Sequence, residues 1–179
     1  MGYIDCNALR AGYPESKRCG EALCQAYIRQ KGVDAVIARL TRSYGPTLLR
    51  SDTKALSQFL WKGLAGEDIV LKSDGSQLYS YTYVSDAVTG LLTVLLKGRC
   101  GAAYNVAEES FDVPLRKMAE MVADAAGTHV VFDLPERTEA AGFSKVTKAR
   151  LDGSRLRALG WKAEIAPEEG IRRTLAILK

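Results

Sequence analysis

The sequence predicts an α/β protein, and three observations point there. Helical and strand-like patterns alternate along most of the chain. Val33-Asp34-Ala35-Val36-Ile37-Ala38-Arg39 is a short, nearly continuous apolar run, the pattern of a strand buried on both faces in a parallel sheet. Tyr13 and Lys17 stand four residues apart at the head of a helix, so both side chains fall on one face of it.

The elements follow in order. Pro14 suits a first helical turn, and Ala22, Leu23, Ala26, Tyr27 and Ile28 continue at helical spacing, which predicts a helix over 14–31 stopped by Gly32. The strand at 34–39 comes next, then Ser43-Tyr44-Gly45-Pro46 as a loop, then a helix from Thr53 to Gly63 through Leu56, Phe59 and Leu60. Asp68–Lys72 reads as a strand, Ser73-Asp74-Gly75-Ser76 as a turn, and Gln77–Val84 as a second strand rich in hydroxyls. Ser85 or Asp86 is expected to cap a helix that runs through Val88, Leu91, Leu92, Val94 and Leu95 to Gly98 and leads into the strand 103–106. A helix over 114–126, a strand over 130–132, an irregular loop over 135–147 and closing helices over 154–159 and 167–178 complete the chain. Only the run 34–39 is apolar enough for the middle of a large parallel sheet. The pattern therefore describes the second half of a larger α/β protein, with a small α+β lobe beginning near residue 45.

Composition narrows the function. The chain has 179 residues, 47% apolar and 26% charged, as an ordinary globular domain does. No apolar run approaches the roughly 18–20 residues that span a bilayer, and Met1–Arg10 lacks the apolar core of a signal peptide, so a cytoplasmic protein without a membrane partner is expected. Cys6, Cys19, Cys24 and Cys100 and the lone His129 show no paired spacing, which argues against a zinc site or a disulfide framework. Cys19 and Cys24 are expected to be ordinary buried thiols. The net charge of +4 is scattered, with no basic, aromatic-rich stripe for nucleic acid. A small phosphorylated ligand would suffice to use a few of the cations.

The chemistry centres on Tyr13. A free tyrosine, with a pKa of about 10, is a poor base at neutral pH. A lysine one helical turn away favours the ionised phenol, which lets Tyr13 exchange a proton with a hydroxyl. No glycine-rich strand-to-helix turn precedes Tyr13 or follows it. Arg39 reads as an ion pair at a strand end, Arg42 as a substrate-facing cation, Asn105 as either a strand-end fastener or a ligand contact, and Gly160-Trp161 as a helix stop with a packed aromatic.

Tyr13-x-x-x-Lys17, Arg39-x-x-x-x-Tyr44-Gly45-Pro46, Gly75 with Tyr83-Val84-x-Asp86, Tyr104-Asn105 and Leu159-Gly160-Trp161, in this order, resemble the extended short-chain dehydrogenases. Within them the similarity is to NAD-dependent epimerases and dehydratases acting on sugar nucleotides, and it runs over essentially the whole chain. The resemblance implies that residues 1–45 are the remainder of a Rossmann domain and 46–179 mainly a substrate-binding lobe, with about 84–106 returning to the Rossmann domain. It implies NAD as cofactor, contacted by Tyr13, Lys17, Arg39 and Tyr44, and a nucleotide-sugar substrate contacted by Arg42, Tyr79 and Asn105. Tyr13 and Lys17 are then the catalytic pair, and two copies pair through the tyrosine-bearing helix. The family's catalytic serine or threonine and its glycine-rich loop have no counterpart here, so an inactive C-terminal portion is expected. Two positions depart from the family pattern: Arg42 stands where asparagine is common, and Tyr79 where an arginine grips the substrate diphosphate. Epimerisation is favoured over dehydration or decarboxylation because Tyr13 serves it with few additional groups. A non-catalytic binding or scaffold protein of the same fold is the alternative.

Overall fold

The computed structural model describes residues 5–9, 11–134 and 148–179. The loop expected over 135–147 lies outside the described residues. Helix α1 (Gly12–Lys31) ends at Gly32, whose positive φ of 64° lets its N–H reach back to the Ile28 carbonyl. It is followed by strands β1 (Ile37–Leu40) and β2 (Arg42–Tyr44), helix α2 (Ala55–Leu64) and strands β3 (Ile69–Leu71), β4 (Leu78–Tyr79) and β5 (Tyr81–Tyr83). Helix α3 (Val84–Lys97) leads to strand β6 (Ala103–Val106), a 3-10 turn at Glu109–Phe111, strand β7 (Val113–Pro114) and helix α4 (Leu115–Ala126). Strands β8 (Val130–Phe132) and β9 (Lys148–Ala149) and helices α5 (Ser154–Arg157) and α6 (Pro167–Leu178) follow.

Three parallel pairs, β1 with β6, β2 with β5 and β3 with β8, run through the molecule, and β4 lies between antiparallel β7 and parallel β9. Most of the apolar core lies around α2, α4 and α6. Helices α2, α4 and α6 pack together over β3, and Leu60, Ile69, Met118, Val122 and Ile171 are at most 1% exposed. Each such side chain contributes about 1.5–3 kcal/mol by leaving water. A second cluster of Val94, Tyr104, Val106, Leu156 and Trp161 joins α3 and α5 to β6. Trp161 is packed as the sequence suggested, its indole N–H donating to Thr89 Oγ1 at 3.1 Å.

Several expectations are corrected. The strand expected to be buried on both faces is only half-buried: among the described residues β6 is its sole partner, so its other edge is open. Ser43 and Tyr44, expected in a loop, belong to strand Arg42–Tyr44, which pairs in register with Tyr81–Tyr83. The single strand expected over 77–84 is two short ones in different sheets. Ser80 sits between them, its N–H donating to the Ala149 carbonyl and its own carbonyl accepting from Arg42 N–H. Neither Ser85 nor Asp86 caps α3; Asp86 is buried and accepts the Ile165 N–H at 2.9 Å, tying the segment before α6 to α3. Cys19 is exposed and Cys24 partly so, because α1 buries none of its residues.

Candidate active site

Tyr13 and Lys17 meet as their spacing predicts. The Lys17 ammonium stands 5.3 Å from the centroid of the Tyr13 ring, over its face, and Tyr13 is 74% exposed. Ser16 Oγ donates to the Tyr13 carbonyl at 2.7 Å.

Two polar fasteners set where α1 lies. Arg39 grips Glu21 with both arms, Nε to Oε1 at 2.7 Å and Nη2 to Oε2 at 2.6 Å, and Gln25 Nε2 donates to the Gly101 carbonyl at 2.8 Å. The hydrogen bonds from Arg39 hold the Glu21 carboxyl below its ordinary pKa and the guanidinium above its own. The helix therefore runs antiparallel to β1. At 1.5 Å per residue Tyr13 lies about 12 Å beyond Glu21 along the helix. At roughly 3.3 Å per residue Arg42 lies about 10 Å beyond Arg39 along the strand direction. Both reach the same end of the molecule, outside the carboxyl end of β1, where ligands bind in parallel α/β sheets. Arg39 itself has the ion-pair role that its strand position suggested. Glu21 was missed in the sequence, although Tyr13, Lys17 and Glu21 continue one four-residue spacing down a single helix face.

Arg42 and Tyr79 also come together. The Arg42 guanidinium lies 3.6 Å from the centroid of the Tyr79 ring, which is buried to 8% exposure. Behind them Tyr44 stands edge-to-face with both Tyr81 and Tyr83, and Tyr81 stands edge-to-face with Tyr79. Tyr44 is buried among them and its hydroxyl donates to the Pro167 carbonyl at 3.2 Å. Burial pushes the phenols of Tyr44 and Tyr81 far up, and the Arg42 charge opposes the rise at Tyr81. Gly45 closes the strand: a Cβ there would meet Val84 Cγ1 at 2.5 Å, so the start of α3 can approach only a glycine.

Asn105 pairs in register with Arg39, and its Nδ2 donates to the Asp152 carbonyl at 2.8 Å. Its Oδ1 is buried without a partner among the described residues. The structure thus uses Asn105 as a strand fastener and leaves its acceptor open. An open depression of about 840 Å³, walled by Arg18, Cys19, Glu21, Arg39, Arg99 and Arg155 among others, separates α1 from β1 and β6. Neither Tyr13, Lys17 nor Arg42 lines it. Among the described residues no cluster of His, Cys, Asp and Glu could hold a metal ion, and no helix is long and apolar enough to cross a membrane.

The model of the NAD dependent epimerase/dehydratase family matches residues 3–107. This chain belongs to that family. UDP-glucuronic acid decarboxylase 1 of Danio rerio is 29% identical over 178 residues, which cover 97% of this chain and 40% of that protein. UDP-glucuronic acid decarboxylase 5 of Arabidopsis thaliana is 29% identical over 173 residues, 95% of this chain and 48% of that one. The chain thus spans less than half the length of these curated relatives. Among solved structures, a UDP-glucose 4-epimerase of Thermotoga maritima with UDP-glucose superimposes with a TM-score of 0.80 at 23% identity, covering 92% of this chain and 52% of that one. A dTDP-glucose 4,6-dehydratase of Bacillus anthracis in complex with NAD gives a TM-score of 0.78 at 18% identity, covering 98% and 55%. The fold of this family member is accordingly Rossmann-type α/β.

Proposed function

We propose that this chain carries the proton-transfer pair and much of the substrate side of an NAD-dependent enzyme that modifies nucleotide sugars. The observation that carries the reading is the Lys17 ammonium over the Tyr13 ring, on a helix whose register brings the pair to the carboxyl end of β1 on the same side as Arg42. The relatives named above are decarboxylases of UDP-glucuronic acid, and the structural neighbours are an epimerase and a dehydratase of nucleotide-linked glucose. All of these names share a nucleotide-linked sugar. The preference for epimerisation gains nothing from the decarboxylase relatives, so the reading rests at the class as a whole.

The residues present fit part of an NAD site: an exposed phenol and ammonium stand at the strand ends, while the sequence has no glycine-rich turn for the dinucleotide phosphates. When bound, NAD supplies an acceptor for a hydride from a sugar carbon. Tyr13 Oη takes the proton of the hydroxyl on that carbon, and Lys17, one helical turn away, is placed to hold the cofactor ribose. Arg39 acts at one remove by fixing Glu21 and with it the height of Tyr13. Tyr44 supports the cofactor-side wall from the core, and Arg42, Tyr79 and Asn105 stand on the substrate side. Turnover requires a nucleotide-binding half stacked on the open edge of β1, and these 179 residues alone are inactive. Leu23 and Tyr27, 54% and 58% exposed on α1, offer the face on which two copies pair.

The test is Tyr13→Phe in a polypeptide that also holds the nucleotide-binding half. Loss of a general base lowers kcat by about 10²–10⁴-fold, with nucleotide-sugar binding retained. Turnover within twofold of the unsubstituted enzyme would remove Tyr13 as the base, and absence of turnover in the unsubstituted polypeptide would favour the non-catalytic reading.

A further inference from the structure

We infer that the depression between α1 and the β6 side of the sheet is a binding site for a small phosphate-bearing anion, which serves there as a third fastener of α1. The site is separate from the proposed reaction, since Tyr13, Lys17 and Arg42 all lie outside its lining.

Charge points to the ligand. Four guanidinium groups wall the depression and come from four parts of the chain: Arg18 from α1, Arg39 from β1, Arg99 from the link before β6 and Arg155 from α5. Among the described residues only two carboxylates, Glu15 and Glu21, line it with them. Both are already engaged, Glu21 by the two-armed grip of Arg39 and Glu15 by Arg18 at 3.6 Å. Arg155 donates one N–H to the Ala103 carbonyl at 3.3 Å. The Arg99 backbone N–H is taken up by Tyr104 Oη, while its side chain has neither an ion pair nor a hydrogen bond among the described residues. Arg99 and Arg155 are thus left without a carboxylate, and like charges around one concavity focus a positive potential into it. Their N–H edges match the oxygens of a phosphate, which a guanidinium binds in bidentate fashion.

Shape and place agree. The volume of about 840 Å³ falls within the range of small-molecule sites, and an open, arginine-walled hollow suits a polar ligand rather than an apolar one. Arg99, Ala103 and Arg155 set it on the β6 side of α1, away from the open edge of β1. Helix α1 buries none of its residues and is docked by the Arg39–Glu21 and Gln25–Gly101 bonds, whose residues border the depression. An anion held by Arg18 on the helix and by Arg99 and Arg155 across the gap ties the two sides together. A ligand that binds the docked helix and not the loosened one shifts the balance toward docking.

The experiment is amide exchange of the 179-residue chain in inorganic pyrophosphate, in citrate and in sodium chloride of matched ionic strength. Pyrophosphate is expected to slow exchange in α1 several-fold and leave the α4 amides unchanged. Sodium chloride speeds it, because salt screens the partly exposed Arg39–Glu21 pair. Citrate, an anion without phosphate, gives little protection. Arg99→Gln combined with Arg155→Gln raises the pyrophosphate concentration required at least about tenfold, as loss of hydrogen bonds to a charged group does. The same double variant keeps the anion-free exchange of α1 and α4, which shows that it folds. A second readout is local: Cys19 and Cys100 line the depression and Cys6, also exposed, does not, so pyrophosphate slows alkylation of the first two by iodoacetamide and spares Cys6. Equal effects of pyrophosphate and sodium chloride on α1 overturn the inference, as does protection that survives the double substitution or extends to Cys6. Equal protection by citrate overturns the assignment to phosphate.

Discussion

Helices α4 and α1 belong to two differently finished regions. Over Leu115–Ala126, α4 buries Met118, Ala119, Met121, Val122 and Ala123, whereas α1, over Gly12–Lys31, buries none of its residues. Apolar packing against α2 and α6 covers the inner face of α4, while Arg116, Lys117 and Asp124 face outward. The Tyr13 helix is held by a bidentate ion pair, one amide hydrogen bond and partial contacts, and it leaves Leu23 and Tyr27 open. Apolar burial is strong and tolerant of orientation, while a forked ion pair is weaker and fixes a register. The comparison teaches that stability resides in one region and the register of the Tyr13 helix, on which the proposed chemistry depends, in the other.

The largest expected effect breaks the comparison if it fails. Met118→Ala should cost about 2–5 kcal/mol in denaturant unfolding, because Met118 is 0% exposed and the cavity lies among three helices. Leu23→Ala, measured dilute enough that copies are apart, should stay within about 0.5 kcal/mol, as surface changes do. Equal costs would mean that the face of α1 is covered after all.

A smaller effect sharpens the contrast. Arg39→Met should loosen α1 by about 1 kcal/mol, seen as faster amide exchange confined to α1 with the α4 amides unchanged. The same fastener gives a pH dependence. Arg39 lowers the folded-state pKa of Glu21, so its contribution is complete above the ordinary carboxylate range and is lost as the pH falls through the depressed value. Carboxyl titration by NMR should show α1 staying docked at neutral pH and releasing on the acid side, and a release on the alkaline side would contradict the pairing.

Much of this was legible in the sequence where the signal is local. The helices over 14–31, 114–126 and 167–178 follow from spacing and glycine or proline punctuation, and Tyr13 with Lys17 follows from one helical turn. The rest depends on partners far along the chain. Ser80 breaks a run whose hydroxyl-rich pattern continues unbroken, because Tyr79 pairs with Val113 and Ala149 while Tyr81 pairs with Arg42. Asp86 has the sequence position of a cap, and only the Ile165 N–H gives it a different task. The stack of Arg42 on Tyr79 joins two departures from the family pattern that, taken singly, read as a gain and a loss of charge.

The account turns on where the NAD site is finished. The direct measurement is a calorimetric titration of NAD into this 179-residue chain and into a polypeptide in which a glycine-rich nucleotide-binding half is joined to it. The account predicts heat of binding for the joined polypeptide alone, since Tyr13 and Lys17 offer only the nicotinamide end of a site. Comparable affinity in the short chain would contradict it, because the dinucleotide phosphates would then have to be held by residues within these 179.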